Sequence, residues 1–492
     1  MRVFLGVIAA IAVVFCTPFI FWGPQIVHAW AIGLTGGAAL LIFLFGLILA
    51  LAAAILFEGW VRGAAITVGV VVLALAITTG VRFNYDVNSV YMAEAEETTS
   101  ASPNLAQRAP FKVADQSSTR NLGDTTGEAK NVKILPDEGD HGLWTALVVR
   151  RGFMAGYEAV QSNDVPLFGS ASAKSTSTCD FAIDAAEQRM GGLFPHESMD
   201  YLALGATPPN VTFDQNDAYA YCDGETPIVV LPLKQLSGFW IPTWSNYGAA
   251  TYDGTTGELT VHTDTSKIPG PVYPASLAVA QRSALTADGS FSDYFFNRSG
   301  FESTAGDQGD PNSGNESEFG MRLADKSDSV YVSPLTPRGS STSVTAIGIT
   351  DATGSKAGVR NTLTVHKYPK DEARAANSSI AHSIKNQYSW MPDWASGLEI
   401  FEIAPGEDGS WVASIGQTQA VTYRAVISAD GKAVLYDENG GEVTRTGVTR
   451  NPSTAGKPST AVTGSVQDMT VVELRDLANS VLDELASRTT AK

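Results

Sequence analysis

Three apolar runs fill the first 82 residues and dictate where this chain can be placed. Val3 to Trp22 gives 20 residues without a charge, Ala31 to Phe57 gives 27, and Gly63 to Val81 gives 19. A helix rises about 1.5 Å per residue, so about 20 apolar residues cross a hydrocarbon core of about 30 Å. The runs predict three transmembrane helices, at residues 3–22, 31–57 and 63–81. Trp22, Trp30 and Trp60 stand at run ends, where an indole ring prefers the headgroup layer.

Orientation rests on few residues. Arg2 precedes the first run, the connection Gly23–Trp30 holds no Lys or Arg, and Arg62 lies in the next connection. Positive-inside logic puts the N-terminus in the cytoplasm, and three crossings put everything after Arg82 outside the cell membrane. Arg82 itself opposes the rule. The competing reading is a signal peptide cleaved near Val27–Ala29, but the first run exceeds the usual h-region of about 7–15 residues. No ionisable side chain lies inside the runs, so they read as an anchor and not as an ion path. Gly33 and Gly37, four residues apart, mark a place where two helices could approach.

The chain carries a net charge of −18; Arg2, Glu58 and Arg62 give the region up to Val81 a net of +1, so the remainder carries −19. Such a domain repels nucleic acid and anionic lipid headgroups alike, and points to cations, basic protein surfaces or neutral polymers as partners.

Residues 83–140 are polar and read as a tether, with ordered structure expected from about Leu143 onward. From there to residue 450, β-branched and aromatic arms flank Gly- and Asp-containing turns. The arms are 219–222 with 228–231, 249–252 with 259–262, 398–403 with 411–415, and 421–427 with 433–436. The connection after Cys222 looks longer than a two-residue turn. Helices are expected from Asp180 to about Met190, from Ala275 to about Leu285, and from about Asp371 to Lys385. Antiparallel hairpins interrupted by helices predict an α+β extracytoplasmic region, and the hairpin repeat lacks the regularity of a propeller. Residues 451–469 read as a linker. Within 470–492, Leu474, Leu477, Ala478, Val481, Leu482 and Leu485 form one apolar face of a separable amphipathic helix.

Candidate chemistry is sparse. Cys179 and Cys222 both fall in the outer region, where an even pair in an oxidising compartment predicts a disulfide. The six histidines share no metal-ligand spacing, and neither a G-x-S-x-G nor a phosphate-binding loop occurs. A loop bearing Asp307, Asp310, Asn312, Asn315, Glu316 and Glu318 offers clustered oxygens suited to Ca²⁺, although it lacks the glycine and closing glutamate of an EF-hand. No other cofactor is expected. Aromatic residues crowd Phe239–Tyr247 and Tyr388–Trp394, as either core anchors or a stacking surface for sugars. The stretch Tyr252–Leu259 resembles the strand–turn–strand of PepSY-type extracytoplasmic modules over a single hairpin, which carries no function with it.

The expected function is a membrane-anchored binding or scaffold component of a cell-envelope assembly, with a protein partner or self-association. The alternative is a membrane-tethered enzyme acting on cell-envelope polymer, through paired carboxylates. A sensor is disfavoured because so few residues lie on the cytoplasmic side.

Overall fold

The computed structural model describes residues 2–449, apart from 102, 123–126, 136–141, 153–154, 171–175, 193, 196, 304–319, 325–327, 340–342, 355, 370–373, 407–408, 429–430, 446 and the side chains of 2–16 and 447–449. The amphipathic helix proposed at 470–492 and its linker lie outside the described residues. The chain divides into two compact units, 1–438 and 439–492.

The N-terminal region is helical: α1 (Arg2–Gly36), α2 (Ala38–Leu56) and α3 (Trp60–Met92). Of these, α2 and α3 are long and apolar enough to cross a membrane. The expected three-span pattern is modified in two places. α1 changes direction at Trp22, whose φ of −131° and ψ of 27° are not helical, so residues 23–30 form helix and not a loop. The run 31–57 is cut at Gly37, between α1 and α2. The close approach of helices also differs from expectation. A Cβ on Gly46 would meet Val72 at 3.5 Å, and one on Gly69 would meet Ala50 at 3.5 Å, so α2 and α3 run antiparallel and pack through these glycines. Gly33 has open space beside it.

α3 does not stop at the end of its apolar stretch. Its last turns enter the β-rich domain, where Tyr91 is buried beside Tyr273 and Leu277. The Tyr91 hydroxyl accepts a 2.7 Å hydrogen bond from the Trp244 amide. Arg360 lies over the Tyr91 ring and donates from Nε and one terminal nitrogen, a single guanidinium edge, to the two carboxylate oxygens of Glu94. The segment 83–140 is therefore not a plain tether: it holds the end of α3, then β1 (Glu96–Thr98), α4 (Phe111–Arg120) and β2 (Gly127–Leu135).

Four sheets follow in chain order. The first has the order β2, β3 (Leu143–Arg150), β4 (Tyr157–Asn163), β6 (Ser177–Asp180), with β5 (Gly169–Ser170) leaving to join the fourth sheet. After α5 (Met199–Gly205) come β7 (Val211–Phe213), β8 (Tyr219–Asp223), β9 (Thr226–Ser237), β10 (Thr243–Asp253) and β11 (Leu259–His262). They form a second sheet, ordered β11, β10, β9, β7, with β8 also on β9. Helices α6 (Ala275–Ala284) and α7 (Phe291–Phe295) precede β12 (Phe301–Ser303), β13 (Gly320–Arg322), β14 (Ser329–Pro337), β15 (Ser343–Val344), β16 (Ala346–Asp351), β17 (Leu363–Lys367) and β18 (Arg374–Ala375). The third sheet is ordered β1, β17, β16, β14, β12, with β13 on β14; β15 and β18 pair separately. After α8 (Asn377–Gln387), β19 (Glu399–Pro405), β20 (Trp411–Gln417), β21 (Ala420–Ile427) and β22 (Ala433–Tyr436) make the fourth. The second unit begins with a hairpin of β23 (Glu442–Thr444) and β24 (Gly447–Thr449).

Each sheet shares buried side chains with the next. Leu147 and Val160 of the first sheet meet Val229 and Leu231 of the second. Trp244 of the second and Tyr331 of the third pack on α6. Met321 and Val330 of the third meet Ala404 of the fourth. Trp144 and Ala146 of the first meet Phe401 and Val421 of the fourth, which closes the circuit. The arrangement is propeller-like, contrary to the sequence-based expectation. Strands of 2 to 12 residues and a sheet that borrows β1 from far upstream hide the repeat from any fixed period.

The four expected hairpins are present. The β8–β9 connection is tighter than expected: Asp223 pairs with Thr226, so Gly224 and Glu225 alone make the turn, and Gly224 takes a φ of 60°. Two of the three expected helices are present as α6 and α8. The third, 180–190, forms turns instead.

Candidate binding groove

A groove of about 450 Å³ opens against the first sheet. The β2 strand carries a bulge between Lys130 and Lys133, where it falls out of register with β3. Asn131 occupies the bulge with a φ of 53°, a conformation that asparagine tolerates better than most residues. Its side chain donates a 2.7 Å hydrogen bond to the Gln215 carbonyl, drawing the β7–β8 loop over the groove. Gln215 in turn donates to Asp200, whose other oxygen accepts the Gly191 amide at 2.5 Å.

Arg189 lines the groove from the segment that the sequence reading made helical. One of its terminal nitrogens donates to the carbonyls of Gly152 and Ala155, at 2.5 and 2.9 Å. Tyr157 accepts a hydrogen bond from the Met190 amide, and burial holds its phenol far above the ordinary tyrosine range. That phenol stays protonated at neutral pH and is unsuited to proton transfer. Lys130, Asn216 and Asp115 complete the polar lining. The described lining thus combines amides, two cations and one carboxylate, a set that hydrogen-bonds a polar chain without a nucleophile held against a base.

Sequence reasoning singled out none of these groove residues. The signal it missed is local: an asparagine inside a β-strand pattern, which marks a bulge.

The disulfide pairing predicted for Cys179 and Cys222 matches their placement, with Cα atoms 5.9 Å apart. Cys179 is on β6 of the first sheet and Cys222 on β8 of the second, so the bond ties two sheets together. The candidate Ca²⁺ loop, with Asp307, Asp310, Asn312, Asn315, Glu316 and Glu318, lies outside the described residues. Among the described residues no group of three or more His, Cys, Asp and Glu is arranged to hold a metal. Trp22, Trp30 and Trp60 are all exposed.

The described histidines are dispersed. His28 is buried and its Nδ1 lies 2.6 Å from the Val211 carbonyl. His262 bonds Thr251, and His366 lies against the Ser100 carbonyl. His382 is exposed on α8. The two aromatic stretches part company. Tyr388 is buried and Trp394 donates to its carbonyl, whereas Phe239 and Trp240 face outward.

No protein-family model, no curated protein and no solved structure matches the chain.

Proposed function

We propose that this protein is a membrane-anchored, extracytoplasmic binding component of a cell-envelope assembly. The reading is supported by one observation above others. The end of α3 is built into the propeller-like domain by Tyr91, which is buried in its core, and by Glu94 just past the helix, which pairs with Arg360. A domain joined this way holds its groove at a fixed height and angle above the bilayer, as a scaffold requires and a tethered enzyme does not. The amide-rich lining, with two cations and one carboxylate, favours a polar protein segment as the occupant.

Photo-cross-linking in cells tests this directly. A photoreactive residue at Asn216 should trap one discrete envelope protein, and adding Asn131→Arg, which fills the groove, should abolish the adduct. Absence of any adduct at 216, or an adduct indifferent to the Asn131 change, would contradict the reading.

A further inference from the structure

Apart from Ile183 and Val359, the large exposed apolar side chains described in the β-rich domain lie on two loops beside α2 and α3. The loop after β9 carries Phe239, Trp240 and Ile241, of which Phe239 is 56% and Trp240 is 52% exposed. The Trp240 ring lies 6.3 Å from that of Phe43 on α2. Phe43 is five residues into a 19-residue helix, hence about 7–8 Å below its start. A helix of that length just spans a hydrocarbon core, so Trp240 sits at the level of the outer leaflet.

A second loop repeats the pattern beside α3. Phe295 and Phe296 at the end of α7 are 58% and 60% exposed and stacked edge-on at 5.2 Å. Phe291, one turn earlier, packs at 5.5 Å on Tyr85 of α3 and lies under the Arg82 guanidinium. The antiparallel contacts Gly46–Val72 and Gly69–Ala50 bring residues near 80 of α3 level with the start of α2. Phe291 meets α3 at Tyr85, about five residues past that level, so the second loop joins α3 about 7–8 Å above the start of α2 and the two loops bracket the end of the apolar segment.

The kinked end of α1 supplies a third element. Its inner face is pinned to the domain by His28 against Val211. Its outer face presents Val27, Trp30 and Leu34, spaced by three and four residues. Arg298, whose guanidinium lies 4.9 Å from the Phe296 ring centre, adds a cation at the rim.

We propose that these three elements seat the domain in the outer headgroup layer, the occupant of the apolar surface being the lipid bilayer itself. Phe and Trp in exposed loops on either side of a helix end are what an interface anchor requires, and a rim arginine suits lipid phosphates. The proposal rests on α2 and α3 spanning the membrane, with which the patch is continuous.

Spin labels on the full chain in lipid nanodiscs test it, in a Cys16→Ser background. Labels would be placed by Trp240→Cys, Phe296→Cys, Leu49→Cys in the middle of α2, and Ile183→Cys on the distal surface. Collision with oxygen should exceed collision with a water-soluble nickel chelate at 49, 240 and 296, and fall below it at 183. Water-like values at 240 and 296 with a hydrocarbon-like value at 49 would overturn the seat while leaving the spanning helices intact. A water-like value at 49 would remove the spanning helices, and the seat with them.

Discussion

Replacing Glu402 by alanine should cost about 3–5 kcal/mol, because it leaves buried arginines without their counter-charge. Glu402 is 5% and Arg108 2% exposed, and two guanidinium nitrogens of Arg108 donate to one Glu402 oxygen at 2.8 and 3.0 Å. The other oxygen accepts the Phe111 amide, at the start of α4. Arg108 also donates to the Gly320 carbonyl of the third sheet. One carboxylate thus holds the fourth sheet, the third sheet and α4 together. Arg424, buried on the same sheet, is also within its field: burial pushes this guanidinium down to about 10, and Glu402 pulls the other way. Thermal unfolding of the detergent-solubilised protein should show the loss as a midpoint lowered by about 3–6 °C, given the entropy change expected for a domain of this size. The double change Arg108→Met with Glu402→Met should recover much of it, since removing both partners leaves no uncompensated charge from this pair. An unchanged midpoint for Glu402→Ala would show that the pair does not hold the sheets.

Loss of the disulfide should be of similar size. The cysteines are separated by 43 positions, and closing a loop of that length in the unfolded chain stabilises the fold by about 4 kcal/mol on the entropic view. Cys179→Ala with Cys222→Ala should lower the denaturant midpoint, and reductant should bring the wild type down to the same value while leaving the double variant unmoved. A wild type insensitive to reductant would contradict the pairing.

What could be read from the sequence followed local chemistry. The hairpins 249–262, 398–415 and 421–436 announce themselves because Gly and Asp supply their turns and β-branched residues their arms. The disulfide followed from counting cysteines. What could not be read was decided by distant contacts. Glu96–Thr98 looks like acidic tether, yet pairs in parallel with Thr364–His366. Residues 180–190 have helical composition, but Phe181, Ala185 and Ala186 are drawn into the core. A Cβ on Gly156 would stand 1.6 Å from the Ala186 carbonyl oxygen, so the two backbones touch there and tertiary approach overrides helix propensity. The groove was hidden because its parts come from β2, the β7–β8 loop and the turn at 189, which no local pattern connects.

In the proposed reading, the α2–α3 hairpin anchors the domain on the far side of the membrane from the Phe57–Gly59 connection. Cysteine accessibility in intact cells tests it most directly, again with Cys16→Ser. A membrane-impermeant maleimide should label Ile183→Cys, which is 88% exposed on the domain, without permeabilisation. It should label Glu58→Cys, in the α2–α3 connection, only after the membrane is opened. Labelling of Glu58→Cys in intact cells, with Ile183→Cys protected until permeabilisation, would contradict the account.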